Sequence, residues 1–282
     1  MWKFLSITLL VAIVIVIGGG KWAYDNYDET ALEGWSESAR SEYTEWRDHN
    51  EERLILVPDL PGIIDIKNSD HMRGLKRTDY NFTSDWFSKK SPPWEVALKD
   101  FVGKPDVRYL EVGVYEGRSV VWMLENVLTH PTSHVTGIDI FYKLGEGDAG
   151  YSAEQQKIYE DNVILAGGEG RFTTLAEWSQ IALRTLPVDS FDIIYIDGSH
   201  MATPVLEDAI LSFRLLKLGG VLIFDDYRWF TTAPPLKSPR YAIDTFLAFF
   251  GDQAEVIHTN SQVIIVRTKL DQTSTPLNTD NR

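Results

Sequence analysis

Three carboxylates in this 282-residue chain stand where an apolar run stops. The segment FDIIYIDGSH, residues 191–200, carries a run fit for a buried strand and then Asp197, Gly198, Ser199 and His200. A second segment, VLIFDDY at residues 221–227, leads in the same way into Asp225 and Asp226. An ionised carboxylate at the mouth of a core strand is costly unless a cation or hydrogen-bond donors meet it. Neighbouring parallel strands lie ~4.8 Å apart, so adjacent strand ends can gather Asp197, Asp225 and Asp226 around one ion. Three hard oxygens with open positions suit Mg²⁺ or another divalent cation, which keeps waters and accepts substrate oxygens. In its absence at least one of the acids should take up a proton.

A second group of residues points to a small-molecule cofactor. Residues 111–119 read EVGVYEGRS, an E-x-G-x-x-x-G turn between a strand-like and a helix-like segment. Its glycines permit positive φ and close approach of a ligand to the backbone. Asp139 ends the next apolar run, 22 residues beyond Gly117, where an acid can accept both hydroxyls of a ribose. A dinucleotide fingerprint would read G-x-G-x-x-G and set a helix N-terminus against a pyrophosphate. Here the spacing differs and Glu111 stands just ahead of the turn, which suits an adenosine-type cofactor with a positive amino group and no phosphate.

The elements needed to hold these residues are legible in the pattern. Short apolar runs at 108–112, 134–138, 172–175, 191–196 and 221–224 alternate with helix-like segments near 119–128, 154–166, 179–186 and 204–218. Such alternation predicts a parallel sheet wrapped by helices on both faces. Two last runs, 255–258 and 262–267, are separated by three residues, too few for a crossover helix, and so predict an antiparallel hairpin at one edge. The expected fold is α/β: a Rossmann-like, doubly wound, seven-stranded sheet with an antiparallel C-terminal hairpin, preceded by an N-terminal membrane helix and a helical cap.

Composition narrows the classes. Lys and Arg number 27 against 41 Asp and Glu, a formal net charge of −14, and that field repels phosphate backbones, so nucleic acid is not an expected partner. The chain has no cysteine, which excludes disulfides, thiolate metal sites and a cysteine nucleophile.

Five segments in order, LEVGVYEGRS, VTGIDIF, LAEWSQ, FDIIYIDGSH and LKLGGVLIFDDY, resemble the class I S-adenosylmethionine-dependent methyltransferases. The resemblance is to the metal-dependent O-methyltransferases that include catechol and macrolide sugar O-methyltransferases, and it covers residues 85–267. It implies that Gly113, Tyr115, Gly117 and Ser119 surround the methionine part of S-adenosylmethionine, with Glu111 beside its amino group. It further implies that Asp139 holds the ribose, that Trp178, Ser179 and Gln180 border the adenine, and that Asp197, Asp225 and Asp226 are the metal ligands, Asp197 also touching the cofactor. Glu177 departs from the glycine common in relatives. His200 sits where catechol methyltransferases place a lysine base, so it is the candidate catalytic base, with a helix cap or a partner of a metal ligand as its alternative. The implied activity is divalent-metal-assisted O-methylation of a hydroxylated small molecule or sugar; a catalytically silent, membrane-tethered cofactor-binding module is the rival reading. Tyr227, Arg228 and Trp229 are expected to border the acceptor.

The remaining expectations concern the ends. Residues 4–17, FLSITLLVAIVIVI, carry no charge, and with their neighbours approach the ~20 residues that a membrane helix needs. Lys3 and Lys21 bracket them, so residues 1–22 are read as a single-pass anchor, with a cleaved signal peptide and secretion as the alternative. Residues 23–100 are read as a juxtamembrane and cap region, 101–270 as the methyltransferase domain and 271–282 as a polar, disordered tail. Because the cofactor is made in the cytoplasm, the catalytic domain is expected to face it. A homo-oligomer is left open.

Overall fold

The computed structural model describes residues 74–143, 150–229 and 237–269. Among them no helix is long and apolar enough to cross a membrane, so the expected single-pass localisation is corrected: the described structure contains no such anchor. Residues 1–22, on which that expectation rested, and the tail from 271 lie outside the described residues.

Helix α1 (Pro92–Ala97) comes first, and then β1 (Arg108–Val112), α2 (Arg118–Asn126) and β2 (His134–Asp139). A two-stranded ribbon, β3 (Tyr142–Lys143) with β4 (Gly150–Tyr151), follows, and after it α3 (Ala153–Val163), β5 (Phe172–Ala176) and the short α4 (Ser179–Ala182). The chain continues through β6 (Phe191–Ile196), α5 (Ala202–Leu215), β7 (Leu216–Phe224), α6 (Pro239–Phe250), β8 (Ala254–Thr259) and β9 (Val263–Arg267). Seven strands form one sheet in the order β5-β2-β1-β6-β7-β9-β8. The first five are parallel, while β9 runs antiparallel to both β7 and β8. The expected edge hairpin is therefore present, with its second strand inside and its first at the margin.

The central strands β1, β6, β7 and β9 are buried on both faces because apolar residues fill most of their positions. Successive side chains point to opposite sides. Leu110, Val112, Ile194, Ile196, Leu222 and Phe224 accordingly pack on one side against Ala209 and Phe213 of α5 and Ile243 and Phe246 of α6. Tyr109, Val135, Ile193, Tyr195 and Ile223 pack on the other side against Val120 and Leu124 of α2, Tyr159 of α3 and Trp94 of α1. Residues 74–101 thus contribute Phe87, Trp94 and Leu98 to the core itself.

Two local readings change. The helix expected over 204–218 ends at Leu215, and Leu216 already pairs with Phe191. The register then jumps to Val221 opposite Ile193, with Gly219 at φ +78° making the irregularity. Helix α6 was not anticipated, although Ile243, Phe246 and Leu247 repeat at helical spacing behind a proline in the first turn.

Candidate functional site

The parallel strands leave their unusual residues at one edge, where β1, β2, β6 and β7 all end. β1 stops at Val112 and turns at Gly113, whose φ is +86°. A Cβ there would lie 2.2 Å from the carbonyl oxygen of Asp197, so the exits of β1 and β6 touch backbone to backbone and only glycine fits. Gly113 also borders two hollows. One, of about 520 Å³, is lined by Val112, Ile138, Asp139, Trp178, Ser179 and Gln180 together with Ser199, Thr203 and Glu207 from the β6 exit and α5. The other, of about 50 Å³, is lined by Trp86, Phe87, Tyr115, Gly117, Ser119, Tyr195 and Asp197.

Asp139 forms part of the wall of the larger hollow while its two oxygens accept the backbone N–H groups of Phe141 and Tyr115 at 2.7 and 2.8 Å. Burial pushes its carboxyl up despite these bonds. Tyr115 is held at positive φ by this bond, and Gly117, also at positive φ, precedes the first turn of α2. Glu111 lies beneath the floor and lines neither hollow. The hydroxyls of Tyr109 and Ser119 donate to its two oxygens, and burial pushes its carboxyl up to about 8. Its link to the smaller hollow therefore runs through Ser119. Trp178 is exposed at the rim, and Ser179 opens α4.

A strap ahead of α1 roofs the glycine turn. Thr83 donates its backbone N–H and its hydroxyl to the buried carboxylate of Glu116, both at 2.7 Å. Asn162 of α3 bonds the carbonyls of Asn81 and Glu116, and the Arg118 guanidinium stacks over Phe82 at 4.4 Å. Trp86 then packs against Tyr115 at 5.2 Å between ring centroids. From the sequence Trp86, Phe87 and Trp94 are candidates to cap the cofactor or the acceptor, with core as the better reading for Trp94; the polar partners of the strap, 33 to 81 residues away, carry no local signal.

At the ends of β6 and β7, one ligand-type atom from each of Asp197, His200 and Asp226 lies within 4.8 Å of the others. His200 Nε2 is 2.7 Å from Asp226 Oδ2, and its ring stacks on Trp229 at 4.8 Å. Asp225 is not in this set. Its side chain is turned inward, where Oδ2 meets Lys90 Nζ at 2.6 Å, the Tyr195 hydroxyl and Gln262 Nε2, while Oδ1 accepts the backbone N–H of Asp226. Burial, then the charge of Asp225, push the Asp197 carboxyl well above the usual range. Burial acts on Asp226 in the same sense, but the His200 hydrogen bond and the Lys90 charge outweigh it and hold that carboxyl low.

The comparisons with known proteins fall on this same region. Residues 110–227 match the family model described as a methyltransferase domain. These residues form a methyltransferase domain. Uncharacterized protein R132 of Acanthamoeba polyphaga mimivirus is 30% identical over 137 residues, 46% of this chain and 56% of that protein. The chain thus spans little more than half the length of that curated relative. A candidate rRNA methylase from Clostridium thermocellum superposes with a TM-score of 0.50 over 64% of this chain and 96% of its own, at 11% identity, and shows the shared fold. The O-methyltransferase NovP is 22% identical, covering 64% of this chain and 81% of its own at a TM-score of 0.46.

Within the methyltransferase domain the residues expected to border the acceptor separate. Tyr227 is buried, its hydroxyl bonded to Asp244 at 2.8 Å, whereas Arg228 and Trp229 are exposed beside the acid cluster. Lys90 is the group that sequence reasoning did not find. Its only local signal is a cation just ahead of Ser91-Pro92-Pro93, with nothing to tie it to acids 135 residues further on.

Proposed function

We propose that the chain transfers a methyl group from S-adenosylmethionine to a hydroxyl oxygen of a small-molecule or sugar acceptor, with a divalent cation at Asp197, His200 and Asp226. The observation that carries this reading is the position of Asp197, which lines the smaller hollow and belongs to the acid–imidazole cluster at the same time. A sulfonium donor in the first and an acceptor at the second would be neighbours. The two hollows on either side of Gly113 suit a bent, two-part molecule: an adenosine in the larger, its hydroxyls toward Asp139, and an amino-acid end in the smaller, near Ser119 and Tyr115.

When bound, the cofactor supplies the methyl group as an electrophile, and the cation supplies a Lewis acid that lowers a hydroxyl pKa. The protein's part is positioning. Gly113 brings the two strand ends together, the strap with Trp86 and Phe87 covers the donor end, and Asp139 fixes the turn through Tyr115. His200 presents to Asp226 the nitrogen that a base would use, so the geometry favours it as the third ligand. Two carboxylates and an imidazole also widen the choice of metal from Mg²⁺ toward Mn²⁺ and Zn²⁺.

Calorimetry with S-adenosylhomocysteine tests the donor half: the wild type binds, and Asp139→Ala binds at least about tenfold more weakly through the lost ribose and turn contacts. Binding unaffected by Asp139→Ala would end this reading. A methyl-transfer screen over hydroxylated acceptors, with and without a chelator, tests the other half. Cofactor binding without product would favour a silent binding module.

A further inference from the structure

The larger hollow has two facing walls, the segment Trp178-Ser179-Gln180 that opens α4 and the first turns of α5. Helix α5 turns Thr203, Pro204 and Glu207 toward the hollow and buries Ala202, Val205, Ala209 and Phe213 in the core. Ala182 and Leu183 pack into that same core from the α4 side. Arg184 closes the clasp at the surface, donating to the Gln180 carbonyl and pairing with Glu207 at 2.5 Å. Asp208, the next residue along α5, turns the other way, into the protein. It is 1% exposed, and among the described residues neither of its carboxylate oxygens has a hydrogen-bond partner at ordinary length. Burial pushes its carboxyl up to about 7, the Ser179 hydroxyl is close enough to act against that rise, and the charge of Glu207 adds to it. A buried acid with no bond of its own is costly to the fold. Residues that break a packing rule in this way gather where a site needs them, and through Ser179 the wall of the larger hollow is within reach of Asp208.

We propose that Asp208 sets the polarity of the Ser179 hydroxyl, and so makes the larger hollow select a base with an amino edge, adenine, over one with an oxo edge, hypoxanthine. Ser179 lines the hollow on one side and meets Asp208 on the other. A serine hydroxyl donates one hydrogen bond, accepts two and rotates to suit its partners, whereas an ionised carboxylate only accepts. With Asp208 ionised, the Ser179 proton turns to the buried acid and the lone pairs of its oxygen are left toward the hollow. An exocyclic amino group donates to those lone pairs. A carbonyl oxygen in the same place meets them as a second acceptor. Asp208 is thus a positioning residue, acting on the base only through Ser179. This inference rests on the reading of the larger hollow as the adenosine site, and is independent of the acceptor and of any metal.

The test is calorimetry on the full chain at pH 8, above the value to which burial raises Asp208. The ligands are S-adenosylhomocysteine and its deaminated analogue S-inosylhomocysteine, and the proteins are wild type, Asp208→Asn, Ser179→Ala and the double variant. The wild type should prefer the adenine ligand by about tenfold or more, the scale set by leaving a polar group wrongly paired. An asparagine amide donates to Ser179 as readily as it accepts from it, so Asp208→Asn should cut the preference to within about threefold, as should Ser179→Ala. The double variant should lose no more than either single one, because the two residues act as one unit. Urea unfolding separates this from a role in folding. The folded-state carboxyl is raised, so the acid favours the fold below its ordinary range and least of all above about 7. Asp208→Asn, which keeps the side-chain shape, should therefore unfold at pH 8 at no lower urea concentration than the wild type. A wild-type preference under about threefold would overturn the proposal, as would a preference kept by Asp208→Asn, or one lost only together with stability. Failure of the wild type to bind S-adenosylhomocysteine at all would instead sink the methyl-donor reading and this inference with it, whereas equal affinity for the two ligands would sink the inference alone.

Discussion

Replacing Gly113 with alanine should damage both the fold and the site, and the structure separates the two reasons for it. The first is conformational: at φ +86° an L-residue carries a penalty of about 1–2 kcal/mol. The second is a collision. The new methyl would lie 2.2 Å from Asp197 O, 2.5 Å from Asp197 C and 2.7 Å from Gly198 Cα, all backbone atoms that cannot rotate aside. The ends of β1 and β6 would have to part by more than about 1 Å, and overpacking of that kind costs typically 1–3 kcal/mol. Together the loss is roughly 2–5 kcal/mol. Gly219 supplies the control, because it has φ +78° and nothing within 4 Å of its virtual Cβ, so Gly219→Ala carries the first penalty without the second. Any gain from stiffening the unfolded chain is common to both. Urea unfolding of the two variants should therefore differ by about 1–3 kcal/mol, with only Gly113→Ala also losing S-adenosylhomocysteine affinity. Equal costs to within about 0.5 kcal/mol would refute the claim that backbone contact between two strand ends builds the site.

Glu111→Gln should change the pH dependence of stability. The folded-state carboxyl is raised to about 8 by burial from an ordinary 4.5, so its proton is retained on folding. Its contribution is fully present below pH 4.5 and is lost as pH rises through about 8. Denaturant unfolding at pH 5, 7 and 9 should show Glu111→Gln gaining on the wild type as pH rises; parallel curves would count against it. Trp94→Phe should cost about 2–4 kcal/mol, from lost packing and from an acceptor on Gln262 left without its donor. The same thermal or chemical melt reads that loss, and a change under about 0.5 kcal/mol would show that the Trp94–Gln262–Asp225 chain is not a structural unit.

The sheet was readable because its signals are local. The 108–112 and 191–196 runs became β1 and β6 with those bounds, since short, mostly apolar runs that stop at a glycine or an acid leave little freedom. The 216–218 stretch was not, because Leu-Lys-Leu fits the last turn of a helix and the first residues of a strand equally well, and pairing with Phe191 decides it. The surroundings of Asp225 and Asp226 differ because the chain leaves β7 at Phe224 and turns at Asp226, whose φ is +56°, a bend that the acid pair in the sequence does not announce. Both meet Lys90, Asp225 at 2.6 Å and Asp226 at 3.4 Å, but only Asp226 also reaches His200. Of the strap only the aromatics Trp86, Phe87 and Trp94 gave a sequence signal, and its polar contacts and Lys90 gave none, because their meaning comes from contacts across 33 to 136 residues.

That distribution explains why the centre needs both ends of the domain. The β6 and β7 termini supply acids, but a sheet edge with three of them would repel itself. The strap answers with Lys90, and the C-terminal hairpin answers with Gln262, immediately before β9, while Ser261 accepts the Tyr227 backbone N–H at 2.8 Å and ties down the chain just past the acids. Trp94 joins the two answers by packing on Tyr195 and bonding Gln262. The antiparallel hairpin is therefore more than a way to finish the sheet. By placing β9 beside β7 it delivers an amide to Asp225, and with Lys90 this offsets the repulsion between two adjacent acids.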